Sequence, residues 1–158
     1  MAISYSIAKH AVAFPSKVLA SNGGKHIYNV QVSEAVDNGW FVGKGDFVEL
    51  DLYEEAAPTT FAGTVVAQAA NGNYYVEVES AVNALFVYTV PMIEEEYSNA
   101  FKAEQNFYNA EDSVVRAYEL AAGDVIEISA DGFDATPTVG ASVALKAITG
   151  TSLAKRLG

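Results

Sequence analysis

The stretch "AGTVVAQAANGNYYVEVES", Ala62 to Ser80, decides the fold class. "AGTVVAQAA" and "YYVEVES" both have strand composition, and they flank "NGN" at residues 71–73. Asn-Gly takes up positive φ at little cost, as a tight turn between antiparallel strands requires. This is the strongest hairpin signal in the chain, and its neighbours on both sides repeat the strand pattern.

On the N-terminal side, "IYNVQV" (27–32) alternates, the turn "DNG" (37–39) follows, and "WFV" (40–42) opens another strand. "DFVELDLY" (46–53) sets Val48, Leu50 and Leu52 on one face against Glu49 and Asp51 on the other, the pattern of a half-buried strand. On the C-terminal side, "ALFVYTV" (84–90) is an almost unbroken apolar run before Pro91, which predicts a central strand stopped by proline. "SVVRAYEL", "DVIEIS" and "ASVALKAI" continue the series. Between them, "MIEEEYSNAFKAEQNFYN" (92–109) loses the period of two. Ile93, Tyr97 and Phe101 fall four apart behind three acids, which suit the first turn of a helix. "KGDFVELD" and "AGDVIEIS" share a Gly-Asp step and predict two similar turn-then-strand units.

The fold predicted is therefore mainly β: a partly open β-barrel or small β-sandwich with a short helical insertion near 92–109. The 158 residues favour one domain. Charge divides the chain further. Residues 1–33 hold Lys9, Lys17 and Lys25 and no acid, and residues 141–158 hold Lys146, Lys155 and Arg156 and no acid. All 20 acids lie from Glu34 to Asp134, beside only Lys44, Lys102 and Arg116, so the middle carries −17 of a net −11. The expected organisation is a basic N-terminal arm (1–33), a β-rich body (34–150) and a basic C-terminal tail (151–158). A basic end can dock on an acidic surface, including the body of a neighbouring copy. So acidic a chain is not expected to bind nucleic acid, where Lys and Arg must displace counterions.

Little in the sequence points to catalysis. There is no Cys, which removes disulfides, thiolate metal sites and a Cys nucleophile. His10 and His26 stand sixteen apart with no acid nearby, short of the three or four ligands a zinc site needs. "DGFD" (131–134) lacks the alternating acids of a calcium loop and predicts a turn. "NGGK" (22–25) and "GKGD" (43–46) lack phosphate-loop spacing. Glu54–Glu55 and Glu94–Glu96 are expected to be solvated faces rather than acid/base pairs. No enzyme activity, cofactor or metal is expected. No apolar run approaches the about 20 residues of a membrane span, and the first residues, lacking an early basic region and an unbroken apolar core, are not expected to act as a signal peptide. Arg116 is expected to pair with Glu111, Glu119 or Glu127. Trp40, Tyr74, Tyr75 and Tyr88 are candidates for strand packing, a protein interface or a sugar-stacking platform.

The stretch "VPMIEEEYSNAFKAEQNFYNAEDSVVRAYELAAGDVIEIS" (90–129) resembles a known family. It runs from an acidic E-x-x-Y element at Glu94–Tyr97 to F-x-N at Phe107–Asn109, then to R-x-Y-x-L-x-x-G-D from Arg116 to Asp124. "DNGWFVGKGDFVELDLYEEAAP" (37–58) is similar to the same family's upstream strand. The family comprises proteins encoded beside the major capsid gene of tailed bacteriophages of Gram-positive hosts. The resemblance covers roughly residues 35–130 and leaves the two basic ends outside. It implies a structural virion protein, a capsid decoration or cement protein on the outer surface of a phage head, made in the host cytoplasm. The implied partner is the major capsid protein lattice. The alternative is a tail-associated or carbohydrate-binding module of the particle. Lys9, Lys17, Lys25 and Trp40 are the expected contact residues.

Overall fold

In the computed structural model, residues 11–17, 27–49, 52–89, 108–148 and 151–158 are described, 15–17 by their backbone alone. Eleven strands follow one another: β1 (Ala13–Lys17), β2 (Ile27–Gln31), β3 (Phe41–Glu49), β4 (Leu52–Ala56), β5 (Thr60–Gln68), β6 (Tyr74–Val82), β7 (Leu85–Val87), β8 (Val114–Tyr118), β9 (Val125–Ile128), β10 (Ser142–Ala147) and β11 (Lys155–Leu157). Among the described residues the only helical turn is a 3-10 turn, Ala130–Gly132. The fold is mainly β, as predicted.

The strand order is β1-β9-β6-β5-β10-β11-β3-β4-β2-β8-β7, and β7 pairs back onto β3. That last pairing, Phe41 opposite Phe86 and Val42 opposite Leu85, closes β3, β4, β2, β8 and β7 into a five-stranded barrel. The other six strands form an open wing joined to β3 through β11. The only free strand edge among the described residues is β1. It carries Pro15 and a register irregularity between Phe14 and Lys17, two devices that discourage edge-to-edge pairing.

Alternation sorts the side chains into two cores. Val30, Val42, Leu85, Val87, Val115 and Ala117 turn into the barrel. Phe41, Phe86 and Tyr118, their neighbours on the same strands, turn out against the wing, where Phe61, Val76, Val78, Ile126, Ile128 and Leu157 meet them. The "NGN" turn joins β5 to β6 as predicted, with Gly72 at φ 93°. β7 is buried at all three positions, which accounts for its unbroken apolar run.

Several expectations are corrected. "DFVELDLY" is not one half-buried strand: β3 ends at Glu49 and β4 starts at Leu52, so the stretch is a hairpin, with Phe47 60% and Val48 45% exposed. Only the second Gly-Asp step is a turn. Gly123 has φ 92° and Asp124 accepts from the Ala121 N–H at 2.8 Å, whereas Gly45 lies inside β3. The boundaries after residues 33 and 150 do not separate parts of the fold. β1 and β2 lie in the expected arm and β11 in the expected tail, and all three are hydrogen-bonded into the sheet. The expected insertion near 92–109 lies outside the described residues except at its end. There Asn109 forms a bridge with Val36.

That bridge belongs to a buried polar cluster at the "DNG" turn. Asn38 donates to the Thr89 carbonyl at 2.8 Å and accepts from the Thr89 N–H at 2.9 Å. Asn109 donates to Asn38 Oδ1 and to the Val36 carbonyl, both at 3.1 Å. Burying two amides is tolerable because their donors and acceptors are met. Asp37 adds a bond from the Ala11 N–H at 3.0 Å, tying the start of the chain to the barrel.

Candidate docking face and barrel mouth

Along the β3–β4 hairpin, β3 passes from buried at Phe41–Gly43 to exposed from Asp46 to Glu49 while still paired with β4. Register shifts between Lys44 and Phe47 and between Phe47 and Glu49 mark bulges, which raise local twist and bend a strand. Phe47 therefore leaves the core, although its ring still touches Tyr53 edge-on at 5.6 Å. Asp46 and Glu49 flank Phe47 and Val48, and all four are exposed. At its root the hairpin is fixed by close backbone packing: a Cβ on Gly43 would lie 2.6 Å from the Ala57 carbonyl oxygen.

Below the hairpin, three side chains meet at one mouth of the barrel. Tyr28 and Tyr53 pack edge to face with centroids 5.7 Å apart. The Lys44 ammonium lies 4.2 Å from the Tyr28 centroid and 4.8 Å from that of Tyr53, within cation–π range of both. Parallel pairing of β2 with β4 sets Val30 opposite Tyr53 and brings the two tyrosines together. Asn83, at φ 44°, receives the Lys44 N–H at 3.0 Å and so pins the strand. The Tyr28 hydroxyl donates to Glu119 Oε2 at 3.3 Å. Burial, then the charge of Glu119 and this bond, raise the Tyr28 phenol above its ordinary 10.0. Tyr28, Lys44, Asn83, Leu85, Glu119 and Leu120 line a recess of about 260 Å³.

The opposite mouth is acidic. Glu55 stands directly across β3–β4 from Lys44, yet the two make no ion pair. Glu55 Oε1 instead accepts the N–H and hydroxyl of Ser33, each at 3.1 Å, while its Oε2 is buried without a partner. Burial, and the nearby charge of Glu34, push the Glu55 carboxyl above its usual 4.5 against the opposing pull of Ser33. A recess of about 340 Å³ opens here beside Gln31, Glu54, Asp112 and Leu153.

The residues singled out from sequence do not converge on one site. Lys9 and Lys25 lie outside the described residues, as do His10, His26 and Glu94–Glu96, and Lys17 is described by its backbone in β1 only. Trp40 is half-buried against the barrel core, with its indole N–H enclosed and unpartnered. Tyr74 is core, meeting Phe133 edge-on at 5.9 Å, and Tyr75 points to the other face of β6. Tyr88 packs on the outer core beside Tyr118. Tyr74 and Tyr88 are thus packing residues, Trp40 is partly so, and Tyr75 lies on the opposite face of β6 from Tyr74. Arg116 corrects another expectation: it is exposed on the outer face of β8 and forms no ion pair with a described carboxylate. Glu54 and Glu55, as successive strand residues, point to opposite faces. "DGFD" supplies the 3-10 turn and holds the C-terminal strand, Asp134 bonding the Leu157 carbonyl at 2.7 Å and the Arg156 guanidinium at 3.3 Å. Among the described residues no group of three or more His, Asp or Glu is placed to hold a metal ion.

Sequence reasoning passed over Phe47 and Lys44. Phe47 is hidden in a regular alternation, and the partners of Lys44 are brought to it from other strands. Compared with known protein families, curated proteins and solved structures, the chain finds no match in any of the three.

Proposed function

We propose that this chain is a non-enzymatic structural subunit of a tailed-phage particle, a decoration protein that binds the outer surface of the head and braces the capsid protein lattice. The observation that carries the proposal is the β3–β4 hairpin, where Phe47 and Val48 stand 60% and 45% exposed on a root closed into a barrel. An aromatic side chain carried on a hydrogen-bonded strand loses little conformational entropy on docking. Aromatic anchors seated in pockets supply most of the energy of many protein interfaces. The choice of partner comes from the family resemblance of residues 35–130. On a lattice, many copies each burying a modest area suffice, because neighbouring sites raise the effective concentration.

The experiment is particle imaging with purified protein added to undecorated heads. Density at regular positions on the head, lost with Phe47→Asp, is the expected outcome. Density confined to the tail would replace the head assignment with the tail-associated one, and an undiminished Phe47→Asp occupancy would remove the hairpin from the interface. The contribution of Lys9, Lys17 and Lys25 is measured by Gln substitutions. Deleting residues 1–25 would also remove β1, which covers β9.

A further inference from the structure

We propose that Asn71, at the tip of the β5–β6 hairpin, is a site of spontaneous deamidation: its side-chain amide is lost as ammonia through attack by the Gly72 backbone nitrogen, and the turn gains a carboxylate. The site lies on the wing, apart from the β3–β4 hairpin, and does not depend on the capsid assignment.

The chain has three Asn-Gly steps, Asn22–Gly23, Asn38–Gly39 and Asn71–Gly72. A glycine lacks the Cβ that would hinder approach of its backbone nitrogen to the preceding side chain. The first step lies outside the described residues, and the fold treats the other two oppositely. Asn38 is 3% exposed, its amide is engaged by Thr89 and Asn109, and the Gly39 N–H donates to the Val87 carbonyl at 2.8 Å. Asn71 and Gly72 are both exposed, and a Cβ on Gly72 would meet nothing within 4 Å. The Asn71 amide is nonetheless oriented. Its Oδ1 accepts the Asn73 N–H at 3.1 Å, and its Nδ2 donates to Glu127 Oε2 at 3.4 Å. The Gly72 N–H donates to the Ala69 carbonyl at 3.0 Å, a turn bond at an exposed tip that opens at low cost.

The step needs water and no oxidant. The Gly72 nitrogen bonds to Asn71 Cγ and negative charge develops on Oδ1, the atom that the Asn73 N–H already faces. The Cγ–Nδ2 bond breaks, the proton from the Gly72 nitrogen leaves with the amide nitrogen as ammonia, and a cyclic imide remains. Water then opens the imide at one carbonyl to give aspartate, or at the other to give isoaspartate. The aspartate sets a second carboxylate beside Glu127, where an amide donor stood. The isoaspartate also lengthens the backbone inside a turn closed by the Ala69 N–H on the Asn73 carbonyl at 2.7 Å.

Asn-Gly is also a preferred sequence for a tight turn, and a purely conformational role would leave the amide intact. To separate the two, the full chain is aged in mildly alkaline buffer, folded and in urea, and conversion at each Asn-Gly step is read by peptide mass spectrometry. In urea Asn38 and Asn71 should convert at similar rates. In the folded chain Asn71 should stay within about tenfold of its urea rate, whereas Asn38 should slow about a hundredfold or more, because its buried cluster must open first. Asn71→Asp, which makes one of the two products directly, should lower the melting temperature by about 2 °C through repulsion with Glu127. Folding that suppresses Asn71 as deeply as Asn38 would overturn the assignment and leave Asn71–Gly72 as a turn former only. Conversion of both at their urea rates would overturn the discrimination by the fold. An unchanged melting temperature for Asn71→Asp would overturn the electrostatic consequence.

Discussion

The barrel interior and the space between barrel and wing are both apolar cores, yet they are filled differently. Inside the barrel stand Val30, Val32, Val42, Leu85, Val87, Val115 and Ala117. Outside it stand Phe41, Phe61, Phe86, Tyr74, Tyr118 and Phe133. The same strands feed both cores, since Phe86 lies between Leu85 and Val87. Diameter grows with strand number, and an eight-stranded barrel is just wide enough to be filled by side chains. Five strands leave a narrower lumen that takes short aliphatic residues, mostly valine. The gap between barrel and wing has no such limit and takes rings. The larger Tyr28 and Tyr53 are only partly buried against this core.

The largest expected effect comes from emptying the roomier core. Phe41 packs on Phe61 at 4.9 Å and on Phe86 at 5.8 Å, so Phe41→Ala should cost about 3–5 kcal/mol in urea unfolding. The complementary test overfills the narrow core. Val115→Phe should lose up to about 3 kcal/mol through strain, and an unchanged midpoint would show that lumen width is not the constraint. Asn109→Ala probes the polar cluster beside the barrel. Two buried side-chain bonds are lost, and the expected cost is about 2 kcal/mol.

Glu55 tests the acidic mouth through pH. Its folded-state pKa lies above the usual 4.5, so the folded protein holds this proton more tightly than the unfolded chain does. The contribution of Glu55 to stability is therefore present below pH 4.5 and is lost as pH rises through its raised pKa. Glu55→Gln should flatten the melting temperature against pH over that window. A profile that keeps the wild-type slope would assign the pH dependence to other groups. Phe47→Ser should have the smallest effect on stability, within about 0.5 kcal/mol, because the ring is mostly in water. If the proposed decoration role holds, the same substitution should strongly weaken binding to undecorated heads.

Much of the strand content is legible locally. "NGN" specifies its turn because Gly72 must take positive φ, and β2, β7, β8, β9 and β10 lie in segments that read as strands. β1 and β11 were not legible. β1 contains Pro15, and the three residues of β11 include Lys155 and Arg156, so neither shows strand composition. The hairpin in 46–53 was misread because Val48, Leu50 and Leu52 alternate as buried residues do. Nothing local says that the strands diverge from the core there. Trp40, expected among the contact residues, lies half-buried against the barrel core, and Arg116 was given an ionic partner it does not have among the described carboxylates.

The sequence by itself determined that this is a β protein, where its strongest turn lies, and how its charge is divided between basic ends and acidic middle. These follow from φ preferences and periodicity, which act over a few residues. Barrel closure, the sorting of side chains into a narrow and a roomy core, and the place of Lys44 between Tyr28 and Tyr53 were decided only by tertiary structure. Each depends on strands distant in sequence: β7 returning to β3 across Val42 and Leu85, and β2 lying parallel to β4. No local propensity encodes which strand becomes the neighbour of which.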